Sequence, residues 1–144
     1  MKVDLLEGED ALRQLRDPGF QQSWKQLLVE CPWATVCQTT EFVNTWYEVY
    51  QARFSPLIAC GYSPDGKLVG FLPLTRSSDG KELFPAGAHQ GEYHGWLAVP
   101  DRSDEFLEEA LRKLAESVTQ ACLNLRCLPP GSKSSRRLRH RCPY

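Results

Sequence analysis

The sequence predicts one α/β (α+β) domain built on a mixed β-sheet flanked by helices. Apolar residues recur at helical spacing up to residue 51 and again after residue 103, with strand-like runs between them. The two runs at 56–62 and 68–74 do not alternate, so helices are expected on both faces of their sheet. The order is helices, hairpin, further strands, a long helix and a last strand, which is a layered arrangement. At 144 residues the chain suffices for one domain with one core.

Residues 9–16 read as a short helix ended by "DPG" at 17–19. A stronger helix is expected over 20–30. Phe20, Trp24, Leu27, Leu28 and Cys31 fall on one face, and Pro32 stops it. A third helix is expected over 37–51, with Thr39 or Thr40 capping its first turn and Glu41 placed where the helix dipole favours a negative charge. Phe42, Val43, Trp46, Val49 and Tyr50 form its apolar face.

"PLIACGY" (56–62) and "LVGFLPL" (68–74) flank the turn "PDGK" and read together as a β-hairpin. Pro73 has no N–H to donate and is expected at a strand end or bulge. "ELFPA" (82–86) and "GWLAV" (95–99) are short strand candidates. Ser103 is expected to cap a long helix whose buried stripe is Leu107, Leu111, Leu114, Val118 and Ala121 or Cys122. Glu108–Arg112 and Glu109–Lys113 fit pairs on its wet side. "LNLRCL" (123–128) alternates as a strand, and "PPGSKSS" breaks it.

The formal net charge is −1, which gives the whole chain no electrostatic case for nucleic acid or membrane surfaces. The charge is uneven. Residues 133–144 carry five bases and no acid, leaving twelve bases against eighteen acids elsewhere. That basic tail lacks apolar periodicity and is expected to be disordered. The six cysteines show no C-x-x-C spacing, and the acidic start has no long apolar region, so reduced thiols in a cytoplasmic protein are expected. No apolar run reaches the length of a membrane span.

"GAHQGEYHGW" (87–96) is the densest polar stretch and the first candidate site. His89, Glu92 and His94 do not have helical metal spacing, and the three glycines argue against a helix, so no metal is expected. A phosphate loop wants a helix directly after it, whereas "WLAVP" reads as a strand. Cys60 lies in an apolar strand with nothing marking it as activated.

Four segments in order resemble the CelD/BcsL group of GNAT-like acyltransferases, which is related to the FemAB aminoacyl transferases. They are "WKQLLVECPWATVCQTTEFVNTWYEVY" (24–50), "DGKLVGFLPL" (65–74), "AGAHQGEYHGWLAVP" (86–100) and "LNLRCLPPGS" (123–132). Cys37 stands where that group usually has an aromatic residue. The resemblance covers about 20–132 and implies a GNAT-like N-terminal half-domain over 1–132, followed by the tail.

It further implies acyl transfer from acyl-CoA or a similar carrier to an amine or hydroxyl, on a small-molecule or cell-envelope acceptor. The cofactor-binding and catalytic features of such proteins are expected in a second GNAT-like half. No Gln/Arg-x-x-Gly-x-Gly/Ala loop occurs here, so no cofactor site is expected in this chain. The chain is then expected to be a truncated or frame-altered product, inactive alone. Substrate-positioning candidates are Glu92, Tyr93 and His94, then Trp46 and Glu41. Tyr93 would donate a hydrogen bond to the acceptor or shape its pocket, and Glu92 or His94 would accept a proton. The alternative expectation is a non-catalytic protein-binding module using its sheet edge or exposed aromatics.

Overall fold

The computed structural model describes residues 1–118 and 121–126. Strand β1 (Lys2–Glu7) leads into helices α1 (Gly8–Arg16) and α2 (Pro18–Glu30). A 3-10 turn (Val36–Gln38) precedes α3 (Thr40–Tyr50). Strands β2 (Phe54–Tyr62), β3 (Leu68–Ser77), β4 (Glu82–Pro85) and β5 (Leu97–Ala98) follow. Helix α4 (Ser103–Ser117) and β6 (Cys122–Leu123) complete the described chain. The rest of the expected last strand and the tail at 133–144 lie outside the described residues. Among those described, no helix is long and apolar enough to cross a membrane.

The six strands form one mixed sheet in the order β1-β2-β3-β4-β6, with β5 also on β3. All pairings are antiparallel except β4 with β6. The unbroken apolar runs of β2 and β3 are buried on both faces, as their lack of alternation predicts. Ile58, Cys60 and Phe71 face α1, α2 and α3, where they meet Leu15, Trp24, Leu27, Val43 and Trp46. Leu57, Ala59, Leu72 and Leu74 face α4 and meet Phe106, Leu107, Ala110 and Leu114. Each fully buried side chain of this kind contributes about 1.5–3 kcal/mol.

Short polar signals set the helix ends. "DPG" begins α2 as well as ending α1. Asp17 Oδ1 accepts from Phe20 N at 2.7 Å, and Pro18 takes the first helical position, where no N–H partner is needed. Thr39 rather than Thr40 caps α3, accepting from Phe42 N at 3.2 Å. Cys37 and Gln38 sit outside α3, in a separate turn closed by a Thr35–Gln38 capping box.

Several expectations are refined. Val49 is 65% exposed, and Tyr47 takes its place on the buried face, because 43, 46, 47 and 50 keep the helical stripe that 49 leaves. Ser103 does not cap α4 with its side chain: it is the first residue of that helix, buried, and its Oγ accepts from Trp96 Nε1 at 3.0 Å. Of the two alternatives for the end of the α4 stripe, Ala121 packs against that core while Cys122 is exposed on β6; Cys31, Cys37 and Cys60 are buried free thiols. On the wet face of α4, Arg112 joins Glu109 and Glu116, while Lys113 Nζ reaches across to Val3 O.

Two features organise the sheet non-locally. Gly61 and Gly70 are direct cross-strand partners. A Cβ on either would fall 2.6 or 2.3 Å from the Phe106 ring, so the paired glycines form a socket that seats it. Pro73 is in the middle of β3, not at an end. Its carbonyl accepts from Ala86 N at 2.9 Å, so its polar side faces outward from β2. On that outer edge β5 pairs with Gly70 and Phe71, and β4 with Leu74, Thr75 and Arg76. The missing N–H of Pro73 falls where one partner gives way to the other, and that position makes the proline tolerable.

Candidate functional site

Because β4 and β5 share one edge of β3, the chain between them must turn out and back. Residues 86–96 make that excursion. Ala88 N donates to Pro85 O, and Gly91 N to Gly87 O, both at 2.9 Å. Gly87 has φ +103° and touches Phe42 so closely that a Cβ would stand 2.9 Å from its ring. Ala88 has φ +37°, in the left-handed region that costs a non-glycine residue about 1–2 kcal/mol.

The loop holds this shape through polar side chains. Trp46 Nε1 donates to Gln90 Oε1 at 3.2 Å, and Trp33 Nε1 to Trp96 O at 2.8 Å. Gln38 Nε2 donates to Tyr93 O at 3.2 Å, while Gln38 O accepts from Trp24 Nε1 at 2.9 Å. With Trp96 on Ser103, all four indole N–H groups are engaged. Three of those four bonds involve the loop itself.

His94 is only 2% exposed. Its Nε2 lies 2.8 Å from Ala88 O, and its Nδ1 accepts from Arg126 N at 2.9 Å. A carbonyl only accepts and an amide N–H only donates, so the ring proton belongs on Nε2. Burial pushes the pKa of His94 down, with the Arg126 and His89 charges acting the same way against the Ala88 hydrogen bond. His94 N also donates to Arg126 O at 3.2 Å, which ties the loop to the segment after β6. This imidazole is neutral and its lone pair is already occupied. It holds the loop, and as a proton acceptor it would first have to give up Arg126.

The five residues named from the sequence therefore divide. His94 and Trp46, the latter stacked on Tyr50 with ring centroids 5.1 Å apart, are buried supports. Glu92 and Tyr93 are exposed on the loop they support. Glu41 stands apart, exposed on the first turn of α3. Its carboxyl is held below the usual range, first by the Thr40 hydroxyl at 2.8 Å, and Lys25 stands 3.8 Å away. Among the described residues, no three His, Cys, Asp or Glu side chains stand together as a set able to hold a metal ion.

Gln38, Gln90, Trp33 and Arg126 complete the site and were not singled out by sequence. Gln38 carried a signal in its T-x-x-Q spacing from Thr35. The other three act on the loop through distant or backbone contacts. The result is a backbone fixed from several sides that presents an imidazole (His89), an amide (Gln90), a carboxylate (Glu92) and a phenol (Tyr93) to solvent. Such groups can orient a hydrogen-bonding ligand and take up a proton. No protein-family model, curated protein or solved structure matches the chain.

Proposed function

We propose that this chain is the acceptor-side half of a GNAT-like acyltransferase. In this reading it positions an amine or hydroxyl for acyl transfer from acyl-CoA or a similar carrier, and it requires a second GNAT-like half to turn over. The observation that carries the reading is the loop between β4 and β5. Its backbone is pinned by His94, Trp46, Trp33 and Gln38, and His89, Gln90, Glu92 and Tyr93 are its exposed polar residues. The ordered sequence resemblance over about 20–132 supports it independently.

The chemistry asks little of this half beyond orientation. The acceptor nitrogen bonds to the acyl carbon, the carbon–sulfur bond breaks, and the thiolate leaves with the electron pair. The proton released by the amine passes to Glu92, and the Tyr93 hydroxyl donates to the acceptor. The rival reading is a protein-binding module. It draws on Val36 and Tyr93, exposed by 68% and 42%, on segments that Gln38 joins.

The test combines thiol release from acetyl-CoA with amide-resolved NMR, across a panel of small amines and alcohols. This chain alone is expected to release no thiol above background, while acceptors shift the signals of residues 89–93. Glu92→Gln and Tyr93→Phe should weaken those shifts. Turnover by the chain alone would overturn the half-domain reading, and a panel that leaves 89–93 unmoved would overturn the acceptor-side role.

A further inference from the structure

A cavity of about 490 Å³ lies between α1, the C-terminal part of α3 and the start of β2. Helix α3 separates it from the loop just described. Phe42 and Trp46 touch the loop, whereas Asn44, Tyr47 and Glu48 line the cavity. Its volume is in the range of small-molecule sites.

The lining is sorted by chemistry. Leu12 of α1 and Phe54 of β2 supply apolar wall, with the buried Leu15 and Tyr47 behind them. Tyr47 contributes only its ring, because its hydroxyl already donates to Leu74 O at 2.5 Å. The exposed charges among the lining residues are two of each sign. Arg16 leans towards Glu9 at 4.0 Å. The Arg53 guanidinium and the Glu48 carboxylate have no ion-pair partner among the described residues.

We propose that this cavity binds a small zwitterion of amino-acid size with a bulky apolar side chain. The side chain packs on Leu12 and Phe54, above the buried Leu15 and Tyr47. The carboxylate meets Arg53, whose planar fork suits it, and the ammonium meets Glu48. A purely apolar ligand leaves both charges unanswered, and an acid or an amine alone leaves one. The site concerns binding only and stands independently of the acyl-transfer reading.

The probes are L-phenylalanine, its N-acetyl derivative, its carboxamide and glycine, each titrated into the full chain with amide-resolved NMR. L-Phenylalanine is expected to shift signals around Leu15, Tyr47 and Phe54 saturably. Blocking either charged end should weaken binding about tenfold, the worth of one charge-assisted hydrogen bond. Glycine should not saturate the site.

Arg53→Gln should abolish the preference for L-phenylalanine over its carboxamide, and Glu48→Gln the preference over the N-acetyl form. Both positions are exposed, so neither change threatens the fold. The proposal is overturned if L-phenylalanine at about 10 mM, far above the binding expected of a small ligand making two charged contacts, causes no saturable shift there. It is equally overturned if the blocked forms bind as well as the parent. Shifts confined to residues 89–93 would overturn it too, while leaving the acceptor-side reading standing.

Discussion

The two faces of the sheet are built on different principles. Towards α4, the decisive contact is one of shape: the Phe106 ring sits over Gly61 and Gly70, with Leu107, Ala110 and Leu114 around it. Towards α1–α3, the core is aromatic, and its tryptophans carry polar addresses as well as bulk. Trp24 packs against Phe71 with ring centroids 4.6 Å apart, and its indole N–H also finds Gln38 O. Shape fixes where α4 lies. Directed hydrogen bonds, most of them from the other face and one from Trp96 to Ser103 on the α4 side, fix a loop that has hardly any secondary structure of its own. A face that must hold an irregular segment needs donors aimed at its backbone, because that backbone cannot satisfy itself.

The shape-based face should be the more costly to disturb. Phe106→Ala is expected to destabilise the chain by about 3–5 kcal/mol in urea unfolding. Gly70→Ala places a Cβ against that ring and should cost about 1–3 kcal/mol. The two changes should not add. In the Phe106→Ala background the new methyl enters the space the ring has left, so Gly70→Ala should become nearly neutral. Additive costs would mean that the glycine serves some purpose other than seating Phe106.

The polar face is tested by Trp24→Phe, which keeps an aromatic ring against Phe71 and removes the donor to Gln38 O. A buried acceptor left without its partner costs about 1–3 kcal/mol, to which the lost ring volume adds little if Phe71 and Phe20 close in. The distinguishing readout is local. Amide exchange should quicken at Tyr93 and its neighbours, because Gln38 joins Trp24 to the loop. Loss of stability with unchanged exchange at 91–95 would reduce Trp24 to simple bulk, and the contrast between the faces would lapse.

The same contrast explains what could be read from sequence. The hairpin, α2 and α4 announced themselves through local periodicity and a turn. The two-faced burial of β2 and β3 followed from their unbroken apolar runs. Strand β1 was missed because its pairing with β2 is set about 55 residues away, and its six residues look like any polar–apolar start. Ser103 looked like a cap because nothing local shows the Trp96 indole that claims it. Pro73 looked like a strand end because the change of partner on its outer edge is a fact of the whole sheet. In the candidate loop, the exposed Glu92 and Tyr93 were legible as unusual chemistry. The supports were not, since Trp33, Gln90 and Arg126 gain meaning only from who faces them.

The smallest expected effect concerns pH and isolates the histidine that sequence marked as a possible base. In the folded chain His94 titrates below its ordinary value of 6.5. Above about pH 6.5 both folded and unfolded chains hold it neutral, and its contribution to stability is fully present. As the pH falls below that, the unfolded chain binds a proton that the folded chain refuses. Stability therefore drops, by at most about 1.4 kcal/mol per pH unit, until the folded-state pKa is passed. His94→Gln removes this dependence whatever it does to overall stability, so the measured quantity is the difference in slope between the two proteins from pH 7 to 5. Histidine NMR should also report an Nε2–H tautomer that persists below pH 6.5. Parallel slopes, or an Nδ1–H tautomer, would mean that His94 is not clamped between Ala88 and Arg126. It would then regain the freedom to serve as the proton acceptor of the loop, and the role now given to Glu92 would have to be shared.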